Sequence, residues 1–209
     1  LTQRRFLPFF LSQSLGAFND NVFKQGLVAL VVFVGAIDVG MSSATFSLLA
    51  GALFILPYFL FSALGGQLAD KYDKARLARW IKALEVALML VATAGFMLKS
   101  GALLLSVLFL LGLQSTLFGP LKYGILPQVL RDEELTGGNG LVESATMVSI
   151  LLGTLVGTAL VGIPGDGLIF ISMAGLGVAL AGWFAALAMP PTPAVEPELR
   201  INWNPLTET

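Results

Sequence analysis

Only 12% of the 209 residues are charged and 56% are hydrophobic, against about 25% charged in an average soluble domain, which leaves too few polar side chains to clothe a water-facing surface. A net charge of −1 offers no basic surface for nucleic acid, and the lack of cysteine and histidine excludes disulfides, thiol nucleophiles, histidine general bases and the usual zinc sites. What remains is a membrane protein, a class in which the 23 glycines let helix backbones approach closely.

A hydrocarbon core about 30 Å thick requires roughly 20 apolar residues of helix. Six stretches meet that requirement, near Phe6–Gly35, Ala44–Ala69, Leu77–Leu98, Ala102–Leu126, Leu141–Val161 and Gly167–Met189, and they predict an all-α membrane protein with six transmembrane helices. The opening LTQRRFLPFF imitates a secretion signal, but the apolar stretch behind it is too long and lacks a convincing cleavage site, so it is read as a retained first helix. That helix carries Gln13, Gly16, Asp20 and Lys24 at spacings of three and four, with Asn19 and Asn21 beside them, and this polar face is expected to line the interior. Asp20 falls about 14 residues into the span, roughly 20 Å along its axis and close to mid-membrane. An intrahelical Asp20 and Lys24 pair that merely neutralises itself is the plainer alternative.

Between the second and third helices stands GGQLADKYDKAR, with Gly66, Asp70, Lys71, Lys74 and Arg76. Gly66 is expected to admit a neighbouring helix, and Asp70 to take charge-assisted hydrogen bonds from a helix N-terminus or an arginine; an ordinary basic loop is the alternative. In the fourth helix FGPLKYGILPQ places Lys122 near one end on a face shared with Gln114 and Phe118, and Gly119-Pro120 is expected to disrupt the preceding turn. Lys122 either snorkels to headgroups or meets Glu143, an opposite charge at similar depth in the fifth helix. Ser149, Gly153 and Gly157 at four-residue spacing read as a close-packing face. The connections Asp38-Val39-Gly40, Lys99-Ser100-Gly101 and Ile163-Pro164-Gly165-Asp166 are turn-like.

Nine of the 12 basic residues are assigned to one face: Arg4, Arg5, Lys71, Lys74, Arg76, Arg79, Lys82, Arg131 and Arg200. Lys99 alone lies in an opposite loop, so the positive-inside rule puts both termini on the cytoplasmic side. After Met189 the sequence becomes PPTPAVEPELRINWNPLTET, which holds five of the ten prolines. The expected division is a six-helix bundle over residues 1–189 and a fairly extended cytoplasmic linker over 190–209.

The loop carrying Gly66, Asp70, Lys71, Lys74 and Arg76 resembles the signature loop of the major facilitator superfamily, although Asp73 stands where that pattern usually has a second glycine and Lys71 where arginine is commoner. GAFNDN around Asp20, FGPLKYGILPQ around Lys122 and GNGLVES around Glu143, in that order and over all six spans, resemble the lysophospholipid transporter family within it. The resemblance implies the N-terminal half of a two-half transporter, completed by a C-terminal six-helix half. It implies a flippase that moves lysophospholipids from the outer to the inner leaflet of the bacterial inner membrane for reacylation, with no cofactor and no bond-making chemistry. By position in the motifs, Asp20 and Lys122 are implied to line the headgroup path, a lysine suiting phosphate and an aspartate suiting ammonium, and Asn139 and Glu143 are assigned to the cytoplasmic gate. The tail INWNPLTET resembles the central loop of family members fused to acyltransferase domains. Transport of another amphiphilic or small solute, and a non-transporting anchor for a fused acyltransferase, are the rival readings.

Overall fold

The computed structural model describes residues 5–35, 37 and 39–203; Arg4, Asp38 and the last six residues of the INWNPLTET tail lie outside the described residues. Six helices long and apolar enough to cross a membrane make up the fold: α1 (Leu7–Ala29), α2 (Ser43–Lys71), α3 (Lys74–Met97), α4 (Gly101–Val129), α5 (Leu135–Val161) and α6 (Gly167–Leu187). The described residues contain no strand.

Capping chemistry extends several helices beyond the apolar stretches that predict them. Ser42 accepts a hydrogen bond from the Thr45 amide at 3.1 Å, Asp73 from the Arg76 amide at 2.8 Å and Ser100 from the Leu103 amide at 3.4 Å, each satisfying an amide that has no partner within the first helical turn. A short 3-10 turn, Asp132–Glu134, leads into α5; there the Glu134 carboxylate takes the Arg131 amide at 2.9 Å and the Arg5 guanidinium at 2.6 Å. This start lets α5 begin at Leu135, inside a glycine-rich run with little helical propensity of its own. At the other end α1 continues into a π-helical turn, Leu30–Val34, closed by Gly35 at φ 61°, a conformation that glycine adopts without strain.

The helices pair by close backbone contact. α1 packs chiefly on α5 and α6, α2 on α4, and α3 on α4 and α6. The predicted small-residue face of α5 meets α1: a Cβ at Gly153 would collide with the Phe18 carbonyl, and one at Gly157 with the Val22 carbonyl, with Val22 Cα at 2.9 Å. On the other side a Cβ at Gly112 would collide with the Phe54 carbonyl of α2, and one at Gly65 would lie 3.1 Å from Thr116 O. Pro120 has no amide to offer that Thr116 carbonyl, yet α4 runs unbroken through Gly119-Pro120, against the expected disruption of the turn.

The buried apolar residues form two clusters. One gathers Phe23, Leu27, Phe96, Leu104, Leu108 and Leu111, with the Phe23 and Phe96 rings 5.7 Å apart. The other gathers Phe6, Phe9, Ile81, Leu121, Ile125 and Val142 at the end that carries the α2–α3 connection. Between them lies a buried polar layer of Gln13, Asn19, Asp20, Lys82, Glu85 and Gln114.

Since even a methyl group at Gly157 meets backbone, Gly157→Ala should drive α1 and α5 apart and lower stability by about 1–3 kcal/mol. Gly177→Ala, on α6 with open space around it, should leave the apparent melting temperature in detergent unchanged or raised; equal effects from the two would contradict the packing.

Candidate functional site

The polar layer opens on a cavity of about 450 Å³. Gln13, Gly16 and Asp20 reach it from α1, Tyr58 and Ser62 from α2, Lys82 from α3, Gln114, Ser115, Phe118 and Lys122 from α4, and Thr146 from α5. At 1.5 Å per residue the helices set two levels within it. Lys82 lies about 12 Å from the start of α3, Lys122 about 10 Å from the end of α4 and Glu143 about 12 Å from the start of α5, all measured from the same end of the bundle. Asp20 and Ser115 lie deeper, about 20 Å in.

At the deeper level Ser115 Oγ donates a hydrogen bond to Asp20 Oδ2. Asp20 Oδ1 is buried and makes no hydrogen bond among the described residues. Asp20 and Lys24 form no ion pair: Lys24 Nζ sits 4.9 Å from the centroid of the Phe54 ring, away from the cavity wall, so the self-neutralising pair is not what the structure contains. Gln13 Nε2 donates to Ser14 Oγ at 2.9 Å, and Gln13 Oε1 lies 3.1 Å from the Thr146 hydroxyl, which links α1 to α5 beside the cavity.

At the shallower level Lys122 Nζ donates to Glu143 Oε1 at 2.7 Å and the Tyr123 hydroxyl to the same oxygen at 3.0 Å. Lys122 therefore has a partner on a second helix and does not snorkel. Glu143 remains 43% exposed while Lys122 is only 12% exposed, so the pair stands at the rim. It joins α4 to α5, two helices that otherwise barely touch.

The largest departure from expectation concerns α3. Lys82, counted above among the basic residues of the loop face, is buried, and its Nζ forms a 2.6 Å ion pair with Glu85 Oε2, the two side chains 2% and 1% exposed. Glu85 Oε1 takes Asn19 Nδ2 at 2.8 Å, and Gln114 Nε2 lies 3.4 Å from Oε2. Asn19 is thus a support for Glu85, placed behind the cavity wall. Asn21 is also off the wall, donating to the Ala17 carbonyl at 2.8 Å where α1 meets Gly153 of α5. Glu85 escapes a reading of the sequence because it completes an i, i+3 pair with Lys82 near a polar helix start; the signal is a carboxylate followed by VALMLVATAGFM, an apolar run broken only by Thr93.

Among the expected gating residues, Gly66 has open space where a Cβ would stand, and the close approach to α4 belongs to Gly65. Asp70 is exposed, and its backbone carbonyl accepts the Val195 and Glu196 amides, each at 3.0 Å. The helix N-terminus expected for Asp70 is capped instead by Asp73, the residue that departs from the superfamily pattern: Oδ1 holds the Arg76 amide and Oδ2 the Thr192 amide at 3.1 Å. Lys71 Nζ donates to the Leu199 carbonyl at 2.8 Å, Arg76 is exposed, and Lys74 is buried against Gly124 of α4 with no hydrogen-bond partner for its Nζ among the described residues. Asn139 donates back to the Leu135 carbonyl at 2.9 Å and does not reach the Lys122 and Glu143 pair. Thr192, 2% exposed, completes the junction, taking the Lys74 amide on its carbonyl at 2.9 Å and the Ala75 amide on its hydroxyl at 2.7 Å. The segment after α6 is therefore a strap lying across this end of the bundle.

A six-helix membrane bundle whose interior is split by a polar layer and hollowed at mid-span is the architecture of a secondary transporter, where binding sites lie near the bilayer midplane. Residues 7–208 match the Major Facilitator Superfamily profile, and the chain belongs to that superfamily. It is 29% identical over 210 residues to the lysophospholipid transporter LplT of Serratia proteamaculans, covering 100% of this chain and 48% of that protein. It is 28% identical to LplT of Escherichia fergusonii, over 91% of this chain and 49% of the relative, and 28% identical to LplT of Klebsiella pneumoniae MGH 78578, over 100% and 49%. The chain thus spans about half the length of these relatives.

Because the Asp73 side chain both caps α3 and holds the strap, Asp73→Ala should cost about 0.5–2 kcal/mol and speed limited proteolysis between residues 193 and 200. Asp70→Ala should leave the strap protected, since that contact is made by the backbone; release of the strap by Asp70→Ala alone would contradict the assignment.

Proposed function

We propose that the full-length protein is a lysophospholipid transporter and that this chain supplies its N-terminal half. The observation that carries the reading is the convergence of Asp20 on α1 and Lys122 on α4 at one cavity. A zwitterionic lysophospholipid such as lysophosphatidylethanolamine carries an ammonium and a phosphate a few bonds apart, and a carboxylate and an amine at different depths of one crevice offer a partner to each. The single acyl chain needs no polar cavity and stays partly in lipid while the headgroup crosses. The names of the relatives support the substrate class, and the relatives' length supports a second six-helix half facing this one.

In this reading the end that carries Lys71, Lys74, Arg76 and Arg79 is cytoplasmic, in keeping with the retention of positive charge on that side, and both termini of the segment lie there. Transport runs from the outer to the inner leaflet of the bacterial inner membrane, where a fused or associated acyltransferase restores the second chain. Glu143 acts as the gate partner of Lys122: a phosphate arriving at Lys122 competes with Glu143, and release of that carboxylate frees α5 from α4. Asn139, one turn nearer the cytoplasm on α5, shapes the same exit. The α2–α3 loop, with Asp70, Lys71, Lys74 and Arg76, and the strap it holds form the latch on that side.

Replacing Asp20 or Lys122 by alanine in the full-length protein should each cut lysophosphatidylethanolamine uptake at least about tenfold at matched membrane abundance, the loss of one charge-assisted hydrogen bond. Full uptake by both variants would remove the site, and uptake of sugars or drugs in place of lysolipid by reconstituted vesicles would remove the substrate class.

A further inference from the structure

Of the charged side chains on the cavity wall, Lys82 is the one to which neither the motifs nor the relatives assign a role. Its surroundings are built around its free end. The position a Cβ would take at Gly16 is already filled by Lys82 Nζ, so the absence of a side chain at Gly16 is what lets the ammonium reach the cavity. Its stem passes Gly182 of α6, with Cδ 4.0 Å from where a Cβ would stand. The Phe118 ring offers its face 5.1 Å from Nζ, a second favourable site for a cation.

The counterion is arranged differently. Glu85 does not line the cavity and is fixed from three directions, by Lys82 at 2.6 Å, Asn19 at 2.8 Å and Gln114 at 3.4 Å. If Lys82 turns away, Glu85 still keeps two donors from two other helices. The cost of breaking a buried ion pair lies mainly in leaving a charge without partners, and here the group left behind is already partnered. The group that moves has an aromatic face and an anion-sized space in front of it.

We infer that Lys82 is the inner phosphate-binding residue: the ligand's phosphate exchanges with Glu85 for the Lys82 ammonium before passing to Lys122 at the rim, while Asp20, a level deeper, takes the ammonium of the headgroup. The inference rests on the transport reading above and deepens it by giving the phosphate two successive cations at one level of the wall, on α4 and α3. Glu85 is the positioning residue that holds the Lys82 ammonium parked when the cavity is empty. No bond is made or broken.

The test uses the full-length protein in vesicles containing phosphatidylethanolamine and phosphatidylglycerol, with lysophosphatidylethanolamine as the probe. The paired variant K82Q/E85Q removes both charges together and so leaves neither member of the pair without its partner, and K82R keeps the positive charge. K82Q/E85Q should raise KM about tenfold or more with kcat changed less than about threefold, K82R should restore KM to within about threefold of the parent, and E85Q, which frees the lysine, should lower KM. An unchanged KM in K82Q/E85Q would overturn the assignment, as would a fall in melting temperature in K82Q/E85Q accompanied by an unchanged KM in the surviving protein, which would mark the pair as structural only. Should the parent protein move no lysophospholipid, the transport reading falls and this inference with it; parental uptake with an unmoved KM removes Lys82 alone.

Discussion

The fold is organised by the cost of keeping charges inside a bilayer. Each ionised group at mid-span costs at least about 2.5 kcal/mol on insertion scales, and a buried pair is tolerable only when the remaining lone pairs and protons are also satisfied. Lys82 and Glu85 meet that condition by drawing in Asn19 from α1 and Gln114 from α4. Three helices are thereby fixed in register by one carboxylate, and the same register delivers Asp20, Ser115 and Gln13 to the cavity. An apolar contact would hold the helices together as well, but it would not specify which turn of α1 faces which turn of α4.

The division into two apolar clusters follows from this. On α3 the residues step from Ile81, in one cluster, through Lys82 and Glu85, to Leu88 in the other, and α4 steps from Leu111 through Gln114 to Phe118. The cavity then occupies the space between two tightly joined pairs, α1 with α5 and α2 with α4. Each pair is drawn together where glycine lets a neighbouring carbonyl approach, at Gly153 and Gly157 in one and at Gly65 and Gly112 in the other. Small residues give the close backbone contact that membrane helices rely on when lipid is as apolar as their own side chains.

The six spans were legible because hydrocarbon thickness converts directly into run length, and the α5 packing face because small residues at four-residue spacing have few other uses. Lys122 and Glu143 were legible as opposite charges at matching depth. What the sequence hid were choices made by tertiary context. Lys82 sits eight residues into α3, close enough to Lys74, Arg76 and Arg79 to pass for one more basic loop residue; only the partner Glu85 and the space left by Gly16 turn it inward. Asp70 and Asp73 are equivalent to any reading of charge, and the helix start at Lys74 decides between them, because only the residue just before the first turn can reach its free amides. Gly65 and Gly66 differ in the same way, adjacent residues pointing to different sides of one helix.

The rim pair acquires its significance from what surrounds it. Where α1 meets α5 and α2 meets α4, a wedge of even one methyl group is resisted by backbone, so those pairs move as units. Between α4 and α5 the joining contact is an ion pair with its carboxylate nearly half in the open, an arrangement worth little in stability and readily broken by a competing anion. A structure with rigid pairs and one such weak joint changes shape at the joint. The residues of that joint, Lys122 and Glu143, lie on the wall and at the rim of the cavity that Asp20 and Lys82 also line, so an anion moving between the level of Asp20 and the rim has to pass the weak link.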